Sequence, residues 1–96
     1  MSSYLMLRTK VPDFDTWKRE LFDPDPAGRA QAAESHRICR GVDDPNELIV
    51  QVEFSSAEKA KSFRERLLGT GVLDDPRMGT SPAPPIVVEE AETITY

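Results

Sequence analysis

Hydrophobic and polar positions alternate over Tyr4 to Val11. Leu5, Leu7, Thr9 and Val11 fall on one parity and Tyr4, Met6, Arg8 and Lys10 on the other. Period two predicts a strand with one mostly apolar face, ended by Pro12, which has no N–H to give a ladder. Asp13 then stands as a helix N-cap. Phe14, Trp17 and Leu21 repeat at helical spacing, with Lys18, Arg19 and Glu20 on the wet side. Pro24 and Pro26 predict a break near Asp23–Pro26, and the alanine-rich stretch from Ala27 to Glu34 predicts that the helix resumes. Ser35 to Val42 reads as a second strand, and Asp43-Asp44-Pro45-Asn46 as a turn. Glu47 to Phe54 is the clearest strand: Leu48, Val50, Val52 and Phe54 make one apolar face. Ser55 with Glu58 three residues on reads as a capping box, followed by the stripe Ala57, Ala60, Phe63, Leu67 and Leu68. Gly69 and Gly71 stop that helix. Val72 to Pro85 reads mostly as loop, with a short helical turn around Val72, Leu73 and Met78, and Ile86 to Tyr96 as a fourth strand.

The predicted order is β-α-β-β-α-β. This is the split βαβ of the ferredoxin-like class: an α+β fold, an antiparallel sheet with two helices on one face. The other sheet face carries Tyr4, Met6, Arg8, Ile49 and Gln51, too apolar to be comfortable in water, and invites a second copy of the chain. With 96 residues the expectation is one domain, 1–96, small enough to gain from a partner surface. A net charge of -5 argues against nucleic acid and against an anionic membrane surface. Cys39 is the only cysteine, so there is no internal disulfide, and a lone thiol fits a reducing, cytoplasmic setting. Arg8 and Lys10 interrupt any signal-peptide core, and no window is apolar enough for a membrane span.

Several segments resemble a known family. Asp13-Phe14-Asp15-Thr16-Trp17-Lys18 resembles a D-Y-x-x-W-K start of the first helix. Arg37-Ile38-Cys39-Arg40 followed by Asp43-Asp44-Pro45-Asn46-Glu47 resembles an R-L-Y-R-x-x-D-D-P-N-E hairpin. Glu53-Phe54, Lys59-Ala60, Phe63 and Gly71-Val72 fit the same pattern, from about Leu5 to Ile86. The resemblance is to small bacterial members of the dimeric α+β barrel superfamily, which includes antibiotic biosynthesis monooxygenases, polyketide cyclases and haem-degrading enzymes. It implies a homodimer and a small aromatic or polyketide-like ligand in the barrel lumen. The chain departs from the pattern at Cys39, where an aromatic is usual, and in a longer loop over Thr80–Pro85. The matching motifs are structural, so no catalytic residue is carried over.

The residues themselves supply a short list of ligand-binding candidates: Arg8, His36, Gln51 and Glu53. Strands one and three are neighbours in this fold, so Arg8 is expected near Gln51 or Glu53, where it would hold an anionic ligand oxygen or form an ion pair. His36, the only histidine, is a candidate base, or else an ordinary half-exposed strand residue. Cys39 reads as a small buried residue and Trp17 as core. No ligand spacing of histidine and cysteine supports a metal, no cofactor motif appears, and no glycine-rich loop follows a strand to take a nucleotide. The reading is a small-molecule protein of the cyclase or cofactor-independent monooxygenase type. The alternative is a non-catalytic dimeric binding or stabilising module. A haem-handling dimer is a third reading, with His36 as its only candidate ligand.

Overall fold

The computed structural model describes residues 2–96. Strand β1 (Ser3–Lys10) and strand β3 (Glu47–Phe54) lie side by side at the centre of a four-stranded antiparallel sheet of order β2-β3-β1-β4, with β2 (Ser35–Arg40) and β4 (Ile86–Glu89) at its edges. Leu5 pairs with Val52, Leu7 with Val50 and Thr9 with Leu48, so the apolar parity of both strands faces one way. On that face lie helices α1 (Phe14–Trp17), α2 (Arg29–Ala32) and α3 (Ala57–Thr70). The core is Leu5, Leu48, Val50, Val52 and Phe54 from the sheet against Trp17, Leu21, Ala60 and Phe63 from the helices. This is the βαββαβ arrangement expected from the alternation.

The first helix departs from regularity. Asp13 caps α1, its carboxylate accepting from the Thr16 N–H at 2.9 Å. From Lys18 to Phe22 the chain then takes a π turn, closed by the Asp23 N–H on the Lys18 carbonyl at 2.9 Å. The break over Asp23–Pro26 is present, and only one helical turn, α2, follows it. Two left-handed residues, Asp25 (φ 55°) and Gly28 (φ 75°), turn the chain between them. The Asp43–Asn46 turn is tied to the same helix: the Asn46 side-chain oxygen accepts from the Phe14 N–H at 3.1 Å.

Other boundaries are corrected. Ser56, not Ser55, caps α3, accepting from the Lys59 N–H at 3.2 Å. The chain is still extended at Ser56, which places the first helical residue at Ala57. Gly69 stays helical, and Gly71, with φ 73°, makes the stop. The loop after it contains two 3₁₀ turns, Val72–Asp74 and Pro76–Met78. β4 ends at Glu89, and 90–96 have no regular structure, because Ser3 to Met6 is all of β1 that remains to pair with it. No helix of the described residues is long and apolar enough to cross a membrane.

Met78 is carried into the core by a pinned segment. Lys10 and Thr80 exchange two backbone hydrogen bonds, of 2.8 and 3.0 Å, and the buried Thr9 hydroxyl donates to the Met78 carbonyl at 2.7 Å. Gly79 between them has φ 78°, and a Cβ there would meet the Lys10 carbonyl oxygen at 1.8 Å.

Candidate functional site

A cavity of about 70 Å³, open on one side, lies between the sheet and the helices. Its floor is Leu5, Leu7, Val50 and Val52. Trp17, Leu21, Phe63 and Leu67 form the helical wall, Met78 and Leu73 another side. Asp25 and Arg29 are the only charged residues in the lining. Trp17 is 2% exposed, and its indole Nε1–H donates to the Met78 sulfur at 3.3 Å, a weak acceptor.

The rim is organised by Phe22, which the π turn places with its ring centroid 5.1 Å from that of Trp17. π turns recur at functional sites because they re-aim side chains that a regular helix would bury elsewhere. The Arg29 guanidinium lies 3.7 Å from the Phe22 ring centroid, the Lys18 ammonium 5.5 Å from it, and the His36 ring meets it edge-on at 5.0 Å. Burial, reinforced by the charges of Arg29 and Lys18, pushes the His36 pKa below its ordinary value. Burial also lowers the Arg29 pKa, against the opposing pull of Asp25. Burial works to raise Asp25, but backbone N–H groups of Ala30 and Arg29 bind its carboxylate and hold it below the usual range.

The four sequence candidates do not converge. Arg8 pairs opposite Ile49 on the face of the sheet away from the helices, where Gln51 and Glu53 also stand. His36 pairs with Val52 and faces the helices, on the other side of the sheet from those three. The expected contact of Arg8 with Gln51 or Glu53 is corrected: opposite Ile49, Arg8 has Glu47 and Gln51 as its two diagonal neighbours and bonds the one that carries charge, Glu47, while Glu53 lies two pairs away against Tyr4. The Arg8 side chain is 60% exposed in the single chain. Glu53 accepts from the Ser35 hydroxyl at 2.9 Å, and hydrogen bonds from Ser2 and Ser35 lower its pKa. Cys39, expected to be buried, is exposed on the open face opposite Ile49. A second hollow on that face, of about 190 Å³ and open to solvent, is bounded by Met6, Arg8, Ile49, Ile86 and the Pro82–Pro84 segment. Among the described residues no three histidine, cysteine, aspartate or glutamate side chains gather as metal ligands.

The hollow on the helix side of the sheet is the smaller and the somewhat more closed of the two, and the residues that shape it, Arg29 and Phe22 above all, were not among the sequence candidates. The one available signal was the Pro-Asp-Pro run at 24–26, which forces a turn next to an amphipathic helix.

No family model and no curated protein matches the sequence. Solved structures do match in fold. SnoaB, a cofactor-independent oxygenase from Streptomyces nogalater, superposes with a TM-score of 0.72 at 12% identity, over 99% of this chain and 98% of that one. A putative antibiotic biosynthesis monooxygenase from Bordetella bronchiseptica gives 0.65 at 13% identity, over 97% and 98%. Rv0793 from Mycobacterium tuberculosis gives 0.61 at 17% identity, over 96% and 100%. The chain shares the ferredoxin-like α+β fold of these three proteins, over 96–99% of its length.

Proposed function

We propose that this chain is a small-molecule protein of the cofactor-independent monooxygenase or cyclase type, acting as a homodimer and holding its ligand in the cavity between sheet and helices. The observation that carries the reading is that partly open cavity: walls of Leu, Val, Phe, Trp and Met, with charge only at Asp25 and Arg29. Ligand sites are commonly of this kind, apolar with a few placed polar groups. The ligand location differs from the barrel lumen implied by the family resemblance. The likeness to a cofactor-independent oxygenase supports the reaction class.

In such a reaction an enolisable substrate loses a proton from a CH₂ group beside a carbonyl. The carbanion reduces O₂, a C–O bond forms, and the resulting hydroperoxide loses water to leave a new carbonyl. One oxygen atom enters the product and the other leaves as water. The protein contributes an apolar, shaped wall against which the reacting CH₂ group is shielded from water.

The test uses 1,3-indandione, an enolisable aryl diketone, in an oxygen electrode with mass spectrometry of the product. Oxygen consumed mole for mole with triketone formed, and suppressed by the cavity-filling variant Val72→Phe, is the expected result. The second reading is a binding module without turnover. It is favoured by one observation: the lining has no histidine, tyrosine or asparagine to move a proton, and Asp25 is committed to backbone N–H groups. Ligand binding with no oxygen uptake above background selects it.

A further inference from the structure

Resting on the cavity reading above, we propose that Arg29 is the charge anchor of that cavity and that its ligand is an anion, a small ring compound bearing a carboxylate or enolate oxygen.

The Arg29 side chain is only 14% exposed, yet its donors are poorly matched. Its two terminal nitrogens reach the Phe22 carbonyl at 3.4 and 3.5 Å, and the nearest carboxylate contact, to Asp25, is 3.8 Å. Good N–H···O bonds lie at ~2.7–3.2 Å. Arg77 shows what a satisfied guanidinium looks like in the same chain. It is 44% exposed and makes bonds of 2.8, 2.9 and 3.0 Å to Glu20 and Asp75. The more buried arginine is thus the less well bonded, the reverse of what fold stability alone favours, since a buried charge left short of partners is costly.

Asp25 does not close the gap because its carboxylate is turned to the backbone, 3.8 Å from the guanidinium. One of its oxygens accepts from the Arg29 N–H at 2.6 Å and the other from the Ala30 N–H at 2.9 Å, which fastens the start of α2. The left-handed turn at Asp25 and Gly28 then brings the Arg29 side chain back over the face of Phe22. Stacking fixes the plane of a guanidinium and leaves its edge for a planar anion. Size points the same way. The volume of about 70 Å³ is well below the ~150 Å³ of a cavity that takes a whole benzene. A ring that enters must leave part of itself outside the hollow, and Asp25 and Arg29 are the only charged groups of the lining that can meet it.

The test is a titration of benzoate and its neutral isostere benzamide at pH 7. It is followed on the indole ¹H–¹⁵N signal of Trp17, the only tryptophan, and on the Arg29 Nε–H signal. In the wild type, benzoate is expected to bind at least tenfold more tightly than benzamide and to move both signals, while benzamide moves the indole signal alone. Arg29→Gln is expected to bring the two affinities within about twofold without weakening benzamide. Arg29→Lys, which keeps charge and loses the fork, is expected to fall between. Equal affinities in the wild type, or a preference that survives Arg29→Gln, would overturn the anchor while leaving the cavity reading standing. If neither compound moves the indole signal, both fail. Should Arg29→Gln not fold, the wild-type ratio together with the Arg29 Nε–H response still decides.

Discussion

The Trp17 indole N–H and the Met78 sulfur, 61 residues apart in sequence, meet at 3.3 Å in the floor of the core. The contact joins the first helix to the loop before the last strand, with Thr9 fixing that loop from β1. Met78→Ala removes a side chain that is 5% exposed and is expected to cost about 2–5 kcal/mol. Met78→Leu conserves volume and should cost under ~1.5 kcal/mol, unless the N–H···S contact adds to it. Urea unfolding followed by tryptophan fluorescence measures both, and equal costs would remove packing as the explanation.

Gly79 and Gly28 both have positive φ but differ in surroundings. A Cβ at Gly28 meets nothing within 4 Å, so Gly28→Ala should show only the backbone cost, about 1–2 kcal/mol. At Gly79 the same methyl runs into the Lys10 carbonyl and breaks the bridge to Thr80. Gly79→Ala is expected to be the more destabilising of the two by more than ~1 kcal/mol, since a lost backbone hydrogen bond is added to the strain. Denaturation midpoints of the pair decide this.

On the open sheet face, Ile49 is 43% and Ile86 53% exposed, with Met6 between the strands that carry them. A second copy covering this face should give twice the 10.8 kDa chain mass in light scattering at micromolar concentration. Ile49→Asp is expected to return the mass toward that of one chain. The Arg8–Glu47 pair on the same face is exposed in the protomer, so Glu47→Gln should change protomer stability by less than ~1 kcal/mol. A monomeric wild type would remove the homodimer.

His36 gives a pH signature. Its pKa in the fold lies below the ordinary 6.5, so between the two values the unfolded chain binds more protons than the folded one. Stability from this residue is complete above about 6.5 and is lost as pH falls through the folded pKa. The NMR titration of the single histidine should therefore give a midpoint under 6.5, and His36→Gln should flatten the stability curve above the carboxylate range. Arg29→Gln should raise the midpoint, because the Arg29 charge helps to depress it. A midpoint at or above 6.5 would contradict the packing against Phe22.

The strands were legible because period two sets parity at once. Leu48, Val50, Val52 and Phe54 could face only one way, and β1 followed in register. β2 was not legible in the same sense. Ile38 is its only partly buried position, so nothing in its sequence fixes which face His36 or Cys39 takes. The first helix misled for a different reason. Phe14, Trp17 and Leu21 fit a regular helix, and the π turn changes the wiring of the backbone without disturbing those three. The site was hidden because it is non-local. Arg29 sits in an alanine-rich stretch, and only the left-handed turn at Asp25 and Gly28 returns it to Phe22.

The π turn over Lys18–Phe22 amounts to one surplus residue in a helix. In a regular helix, positions 17 and 22 point roughly 140° apart around the axis and their rings could not touch. Here the rings of Trp17 and Phe22 do touch, and Arg29 and His36 lean on the second of them. Loss of a single codon at Arg19 or Glu20, both solvent-exposed, would leave Trp17 and Phe22 four residues apart, about 40° around a regular helix, so the backbone could heal with the two rings still side by side. The surplus residue is thus a tolerated insertion: it lengthens the helix by one position on its wet side and leaves the aromatic rim where a helix one residue shorter would have put it.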